Sequence, residues 1–138
     1  MLKGIDHIAI AVPVLDEAVP LWRDRFGFDL DGYETVESQK VRVAILSKGP
    51  HRIELMEPTE PDSPIGRFLE KRGPGIHHLC LDVGGVQVML DDLKAAGIRL
   101  IDETPTKGAH DRDVAFVHPK GAGGVLLELS SDSGAADS

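Results

Sequence analysis

The chain contains the same strand-like segment twice, about seventy residues apart. The first copy, residues 5–12 (IDHIAIAV), contains His7, and the second, residues 76–83 (IHHLCLDV), contains His78. A second duplicated segment, RIELM at 52–56 and LLELS at 126–130, contains Glu54 in one copy and Glu128 in the other. The two spacings are similar, 71 residues between the histidines and 74 between the glutamates. The sequence therefore predicts two half-domains that each supply one histidine and one glutamate.

The alternation of side chains along a strand predicts which residues share a face. His7 lies opposite a row of large aliphatic residues, and His78 shares its face with Cys80. Glu54 and Glu128 likewise alternate with aliphatic neighbours. Two imidazoles and two carboxylates are a donor set suited to a divalent first-row metal. We therefore predict a metal site formed by both histidines and both glutamates.

The hydrophobic period predicts a β-α-β-β-β module that occurs twice. The first has a strand at 4–12, a helix at 16–26 with Asp16 as N-cap, and strands at 28–35, 40–47 and 51–57. The second has a strand at 75–83, a helix at 86–96, and strands near 98–102, 113–118 and 124–130. We predict a single α+β domain in which one cupped sheet of eight strands surrounds a metal cleft. Its parts are module 1 (3–58), a linker (59–73) with a short helix at 64–72, module 2 (74–130) and a frayed tail (131–138).

Composition restricts the partners and the location. A formal net charge of -8 argues against nucleic acid, which requires a basic surface. The chain has no apolar run near the ~20 residues that span a bilayer. A single cysteine, Cys80, fits a reducing compartment, and the first strand begins too early to leave space for a signal peptide. We therefore expect a cytoplasmic protein with no membrane partner.

Five short motifs resemble those of methylmalonyl-CoA epimerases, a family of the vicinal oxygen chelate (glyoxalase) superfamily. They are IDHI at 5–8, ELMEP at 54–58, GIHH at 75–78, VAFVHPK at 114–120 and GVLLEL at 124–129. The resemblance covers nearly the whole chain and implies the vicinal oxygen chelate fold. It also implies that His7, His78 and Glu128 are metal ligands. Glu54 matches a fourth position, which is Gln in some members and Glu in others.

The resemblance implies a reaction as well. Such an enzyme interconverts (R)- and (S)-methylmalonyl-CoA by removing and returning the α-proton through an enolate that a divalent metal stabilises. Cobalt(II) is the expected metal, with zinc, manganese, nickel and iron as alternatives. Glu128 is the expected acid/base on one face of the substrate. For the other face, an ungapped count reaches Ser38, and a one-residue insertion brings in Glu37, which we prefer over Glu54.

A coenzyme A thioester also needs contacts for its phosphates. The irregular segment 103–112 and its neighbourhood offer four candidates, namely Lys107, His110, Arg112 and Lys120. The resemblance further implies a homodimer. Three other functions use the same fold: a glyoxalase I-like lactoylglutathione lyase, an extradiol-type dioxygenase, and a non-catalytic small-ligand binding or resistance protein.

Overall fold

The computed structural model describes residues 1–137 and gives the secondary structure of both modules. Its eight strands are β1 (Leu2–Ala11), β2 (Asp29–Val36), β3 (Val41–Lys48), β4 (His51–Pro58), β5 (Gly75–Val83), β6 (Thr106–Lys107), β7 (Asp113–Val117) and β8 (Leu127–Ser131). Its three α-helices are α1 (Leu15–Pro20), α2 (Pro64–Arg72) and α3 (Val86–Ala95). None of the helices in residues 1–137 has the length and apolar character needed to cross a membrane.

The strands are hydrogen-bonded in the order β2-β3-β4-β1-β5-β8-β7-β6. β1 pairs with β4 in parallel, and β5 pairs with β8 in parallel. The pairs β2–β3, β3–β4, β6–β7 and β7–β8 are antiparallel. The predicted α+β class with an eight-stranded sheet is thereby confirmed.

The chain forms two compact units, and β1 and β5 each contribute to both. The first unit comprises residues 7–77, and the second comprises residues 1–6 and the chain from residue 78 onward. The first unit has two apolar clusters. In one, Ala9 and Val43 pack with Ile65 of α2, and in the other, Leu15 of α1 packs with Leu55. Both faces of this part of the sheet are thus covered by helices.

The second unit has one main apolar cluster. Val86 and Leu90 of α3 pack against Val83, Val117 and Leu129, all of them at most 1% exposed. Fully burying a side chain of this size stabilises the fold by roughly 1.5–3 kcal/mol. α3 is therefore fixed on the aliphatic face of its strands, which leaves the opposite face to Glu128.

The two parallel strand pairs have equivalent registers. Ala9, two residues after His7, lies opposite Glu54. Cys80, two residues after His78, lies opposite Glu128. The repeat that is visible in the sequence is therefore a repeat of strand pairing, and each His-Glu couple lies on one face of its own strand pair.

The first helix is shorter than the predicted 16–26. It is α-helical only to Pro20 and continues as a π-helical turn over Leu21–Arg25. Pro20 has no N–H to donate to the preceding turn, which favours a change of helical pitch at this point. The N-cap is Val14 and not Asp16, and the first N–H, that of Leu15, donates to Glu57 Oε1 at 2.8 Å. By contrast, α2 begins as predicted.

The strand predicted near 98–102 is reduced to one bridge, between Leu100 and Val117. Asp102 accounts for the difference, because its Oδ2 accepts the backbone N–H of Phe116 at 2.8 Å in place of a strand partner. The edge strand is instead Thr106–Lys107, inside the segment predicted to be irregular. β8 starts at Leu127 and not at 124, after Gly123 and Gly124 with φ of 65° and 99°. Side chains other than glycine rarely adopt these angles.

Residues 131–137, the described part of the predicted tail, contact other residues of their own unit. Ser131 is the last residue of β8 and is fully buried. The N–H of Gly134 donates to Asp113 Oδ2 at 2.9 Å. Backbone of residue 137 lies so close to Gly84 that an added Cβ would meet it at 2.9 Å. Residue 138 lies outside the described residues.

Candidate metal centre

In the first unit, His7 and Glu54 form a buried pair. His7 is 6% exposed and Glu54 is 3% exposed. His7 Nδ1 lies 3.3 Å from Glu54 Oε2. The same oxygen accepts a hydrogen bond from Arg52 Nη2 at 2.8 Å. Burial of a carboxylate requires such partners, because an isolated charge loses its hydration.

In the second unit, His78 and Glu128 form the equivalent pair. They are 3% and 7% exposed, and His78 Nε2 lies 3.1 Å from Glu128 Oε1. The ring of Phe116 meets the His78 ring edge to face, with centroids 5.4 Å apart. Phe116 is also the β7 partner of Glu128 in the strand register. It therefore packs beside both members of the pair.

The donors of these pairs fit a divalent metal. Each unit contains one such pair: His7 and Glu54 in the first, with facing atoms 3.3 Å apart, and His78 and Glu128 in the second, with facing atoms 3.1 Å apart. Buried imidazoles and buried carboxylates match the ligands that first-row divalent metals prefer. A bound cation would also neutralise the charge of a carboxylate that is buried against a histidine. The four-ligand set of His7, Glu54, His78 and Glu128 stays a prediction, to which each unit contributes one buried histidine and one buried glutamate.

Glu37 occupies a different environment from Glu54. It begins a short 3₁₀ turn, Glu37–Gln39, between β2 and β3, and its side chain is exposed, as is that of Ser38. The β3 residue opposite Glu54 is Ile45. Four residues of strand, about 13 Å, separate Ile45 from the start of β3 at Val41, and Glu37 lies beyond that start. Glu37 therefore lies on the turn before β3, whereas Glu54 lies in the middle of β4.

Two of the four predicted phosphate contacts already have partners in the second unit. Arg112 donates through Nε to Ser130 Oγ at 2.7 Å, through Nη1 to Asp132 at 2.8 Å and through Nη2 to Asp82 at 2.7 Å. The guanidinium thereby connects β5, β8 and the tail. Lys107 Nζ lies 2.7 Å from Asp113 Oδ1 and also contacts Ser133. Its hydrogen bond is the main reason that the pKa of Asp113 is lowered.

The other two predicted contacts lie at the surface. His110 is exposed in a 3₁₀ turn, Ala109–Asp111, with a positive φ of 58°. Lys120 is exposed, and its backbone N–H donates to His118 Nδ1 at 3.0 Å. Burial, and then the nearby charges of Arg99 and Lys120, lower the pKa of His118. The sequence motif around His118 therefore forms a capped turn.

Sequence reasoning missed two residues that contact the pairs, Arg52 and Phe116. Strand alternation was enough to indicate Arg52, because it lies two residues before Glu54 on the same face. Phe116 could not be placed beside His78 without the β7–β8 register. Aromatic packing across strands depends on tertiary contacts that a single sequence does not show.

Comparison with known proteins places the chain in a family. Residues 6–116 match the model of the Glyoxalase/Bleomycin resistance protein/Dioxygenase superfamily. The ethylmalonyl-CoA/methylmalonyl-CoA epimerase of Cereibacter sphaeroides is 37% identical over 131 residues, which are 94% of this chain and 98% of that protein.

Solved structures agree with the sequence comparison. The crystal structure of methylmalonyl-CoA epimerase from Mycobacterium tuberculosis has a TM-score of 0.90 and 39% identity, covering 96% of this chain and 89% of that one. A Streptomyces coelicolor methylmalonyl-CoA epimerase variant in complex with 2-nitronate-propionyl-CoA has a TM-score of 0.89 and 34% identity, covering 96% and 99%. The chain belongs to the methylmalonyl-CoA epimerase family of this superfamily.

Proposed function

We propose that the protein is a metal-dependent epimerase that interconverts (R)- and (S)-methylmalonyl-CoA. The observation that carries the proposal is the pair of buried His-Glu couples at equivalent register, in a chain that matches epimerases over nearly its whole length. The reaction removes the proton between two carbonyl groups and returns it to either face. Its barrier is the negative charge that develops on the thioester oxygen when the proton leaves.

His7, Glu54, His78 and Glu128 would hold the metal. When bound, a divalent cation supplies fixed positive charge for the thioester oxygen and the free carboxylate of the substrate, which is usually the largest catalytic contribution. The burial of all four side chains keeps water from competing for the donors. Cobalt(II) is the metal we propose. Zinc, manganese, nickel and iron are the alternatives that suit the same donors.

Glu128 is the proposed acid/base for one face of the substrate. A positioned carboxylate that removes and returns a proton contributes typically about 10²–10⁴-fold in rate. The edge of Phe116 against His78 supports the proposal, because it restrains the imidazole that touches Glu128. Glu128 thereby keeps a defined position relative to the α-carbon of a bound substrate.

The other face needs a second proton-transfer group. Glu37, which is exposed on the turn before β3, is the group expected from the resemblance. Glu54 is buried beside His7 and belongs to the strand pair that repeats the one of Glu128. Because Oε2 of Glu54 is already bound by Arg52, we propose Glu37 for this role with Glu54 as the alternative, and the two glutamine variants described in the Discussion distinguish them.

The substrate partner is proposed to be a coenzyme A thioester. Of the predicted phosphate contacts, Lys120 is exposed, whereas Arg112 and Lys107 are engaged with their own unit. We therefore propose Lys120 as the first phosphate contact to test, with Lys107, His110 and Arg112 as the other candidates. Substitution of Lys120 by Ala should raise the KM for methylmalonyl-CoA and leave kcat unchanged, and an unchanged KM would contradict the assignment.

We also propose a homodimer in a reducing, cytosolic environment. Large apolar side chains exposed on the first unit, Leu21 at 45% and Phe26 at 59%, support association, as such groups often mark interfaces. Sedimentation velocity at micromolar concentration tests the homodimer, and a monomer would contradict it.

The single, buried cysteine agrees with a reducing compartment.

Epimerisation from a single epimer tests the proposed function. Protein freed of metal and then loaded with cobalt(II) is incubated with pure (S)-methylmalonyl-CoA, and the epimer ratio is followed by chiral separation. The loaded protein should bring the mixture to equilibrium, and the metal-free protein should do so far more slowly. Formation of lactoylglutathione from a hemithioacetal, without epimerisation, would instead identify a glyoxalase.

A further inference from the structure

The two repeat-related glutamates differ in their neighbours along the strand. Arg52 lies two residues before Glu54 on β4, and the equivalent position before Glu128 is occupied by Leu126. Because alternate residues share a face, Arg52 is on the same face as Glu54. The module-1 pair therefore has an internal cation at a place where the module-2 pair has an aliphatic side chain.

The contact between Arg52 and Glu54 is short and partly shielded from solvent. Nη2 of Arg52 lies 2.8 Å from Oε2 of Glu54, the oxygen that also lies 3.3 Å from His7 Nδ1. The Arg52 side chain is 28% exposed, whereas that of Glu54 is 4% exposed. Charge-assisted hydrogen bonds of this length are among the stronger ones in proteins, and a partly buried ion pair is screened less by salt than an exposed one.

We infer that Arg52 is a positioning residue for the metal centre, which orients Glu54 through Oε2 and offsets its negative charge. The inference rests on the proposed metal site. Two carboxylates around a divalent cation neutralise it, and the guanidinium of Arg52 restores one positive charge. The centre with Glu54 and Arg52 thus has the same total charge as a centre with a neutral glutamine at position 54 and no cation at position 52. That net positive charge is what the developing negative charge of the substrate requires.

Metal affinity follows from the same charge argument. The guanidinium of Arg52 competes with a bound cation for the carboxylate of Glu54, so its removal leaves the full carboxylate charge to the cation and strengthens cation binding. The effect depends on the carboxylate at position 54, because its charge becomes uncompensated only when Arg52 is absent. The two residues are therefore expected to be strongly coupled.

A double-mutant cycle tests the inference, with the cobalt(II) dissociation constant measured by calorimetric titration of the metal-free protein. Arg52→Met should tighten cobalt(II) binding about tenfold in the Glu54 protein and less than about threefold in Glu54→Gln. Arg52→Lys retains the charge and should stay within about threefold of the wild type. Arg52→Met should also lower kcat in the Glu54 protein more than in Glu54→Gln.

Several outcomes would overturn the inference. These are an unchanged or weakened affinity in Arg52→Met, an equal effect in both backgrounds, or a tightening in Arg52→Lys as large as in Arg52→Met. Circular dichroism and thermal melting of each metal-free variant distinguish a lost ion pair from a lost fold, and Arg52→Lys remains informative if Arg52→Met does not fold. Because the titration needs no substrate, absence of epimerisation by the wild type would contradict the proposed function and leave the cycle interpretable.

Discussion

Nε2 of His78 lies 3.1 Å from Oε1 of Glu128, and the two side chains are among the most buried polar groups of their unit. The distance is that of a hydrogen bond between neutral or charged partners. The equivalent pair of the other repeat, His7 and Glu54, is slightly longer at 3.3 Å. Each repeat therefore supplies one imidazole and one carboxylate, and substitutions can test their roles separately.

His7→Ala tests coordination alone. On our account His7 has no role other than to supply a neutral imidazole, so metal occupancy and activity should fall together. Loss of a ligand should weaken metal affinity at least as much as the 10–100-fold typical of supporting residues. Metal content by inductively coupled plasma mass spectrometry and epimerisation rate are measured on the same samples. Excess cobalt(II) should restore part of the activity, and full activity without bound metal would contradict the assignment.

Glu128→Gln tests proton transfer. The glutamine side chain keeps an oxygen that can bind the metal and has nearly the same volume, but the basic carboxylate is removed. Exchange of the substrate α-proton should fall about 10²–10⁴-fold, while the variant retains substantial metal. Glutamine at position 54 is the matched control for the loss of one ligand charge. If Glu128→Gln exchanges the proton of both epimers at the wild-type rate, Glu128 is a ligand and nothing more.

Glu37→Gln and Glu54→Gln identify the second proton-transfer group. Glu37→Gln should have wild-type metal content, because Glu37 is not a proposed ligand, and should slow exchange from one epimer more than from the other. Glu54→Gln, which changes a proposed metal ligand, should show no such preference for one epimer. Ser38→Ala, in the same turn, serves as the control. Wild-type exchange in Glu37→Gln, together with a one-sided loss in Glu54→Gln, would assign the role to Glu54 instead.

The sequence predicted the pairs because duplication and strand alternation are local properties. His7 with Glu54 and His78 with Glu128 follow from the period of two along each strand and from the two repeats. The π-helical turn after Pro20 and the partners of Arg112 do not follow, since they depend on residues distant in the chain. Arg112 is the clearest case. An arginine that is exposed on a loop and an arginine that binds three residues of its own unit cannot be distinguished in a single sequence.

The pH dependence of stability tests the turn at His118. The folded protein lowers the pKa of His118, through burial first and then through Arg99 and Lys120, so the unfolded chain binds the proton more readily. The contribution of His118 is therefore fully present above its ordinary pKa of about 6.5 and is lost as the pH falls through the lower folded pKa. Protonation also removes the Nδ1 acceptor of the Lys120 N–H.

His118→Asn is the matched variant for that prediction. The side-chain oxygen of asparagine is two bonds from Cβ, as is Nδ1 of histidine, so it can accept the same N–H. Unlike histidine, asparagine does not titrate. Melting temperatures measured between pH 8 and pH 5 should fall less in the variant than in the wild type. Parallel curves for the two proteins would show that His118 does not contribute.

Proton exchange in D₂O is the most direct test of the epimerase mechanism. The cobalt(II)-loaded protein is mixed with methylmalonyl-CoA in D₂O, and the α-proton signal is followed by nuclear magnetic resonance, with Glu128→Gln as control. The account predicts that the wild type replaces the α-proton of both epimers with deuterium, and that Glu128→Gln does so at least about 100-fold more slowly. Retention of the α-proton by a wild-type protein that demonstrably contains cobalt(II) would contradict it.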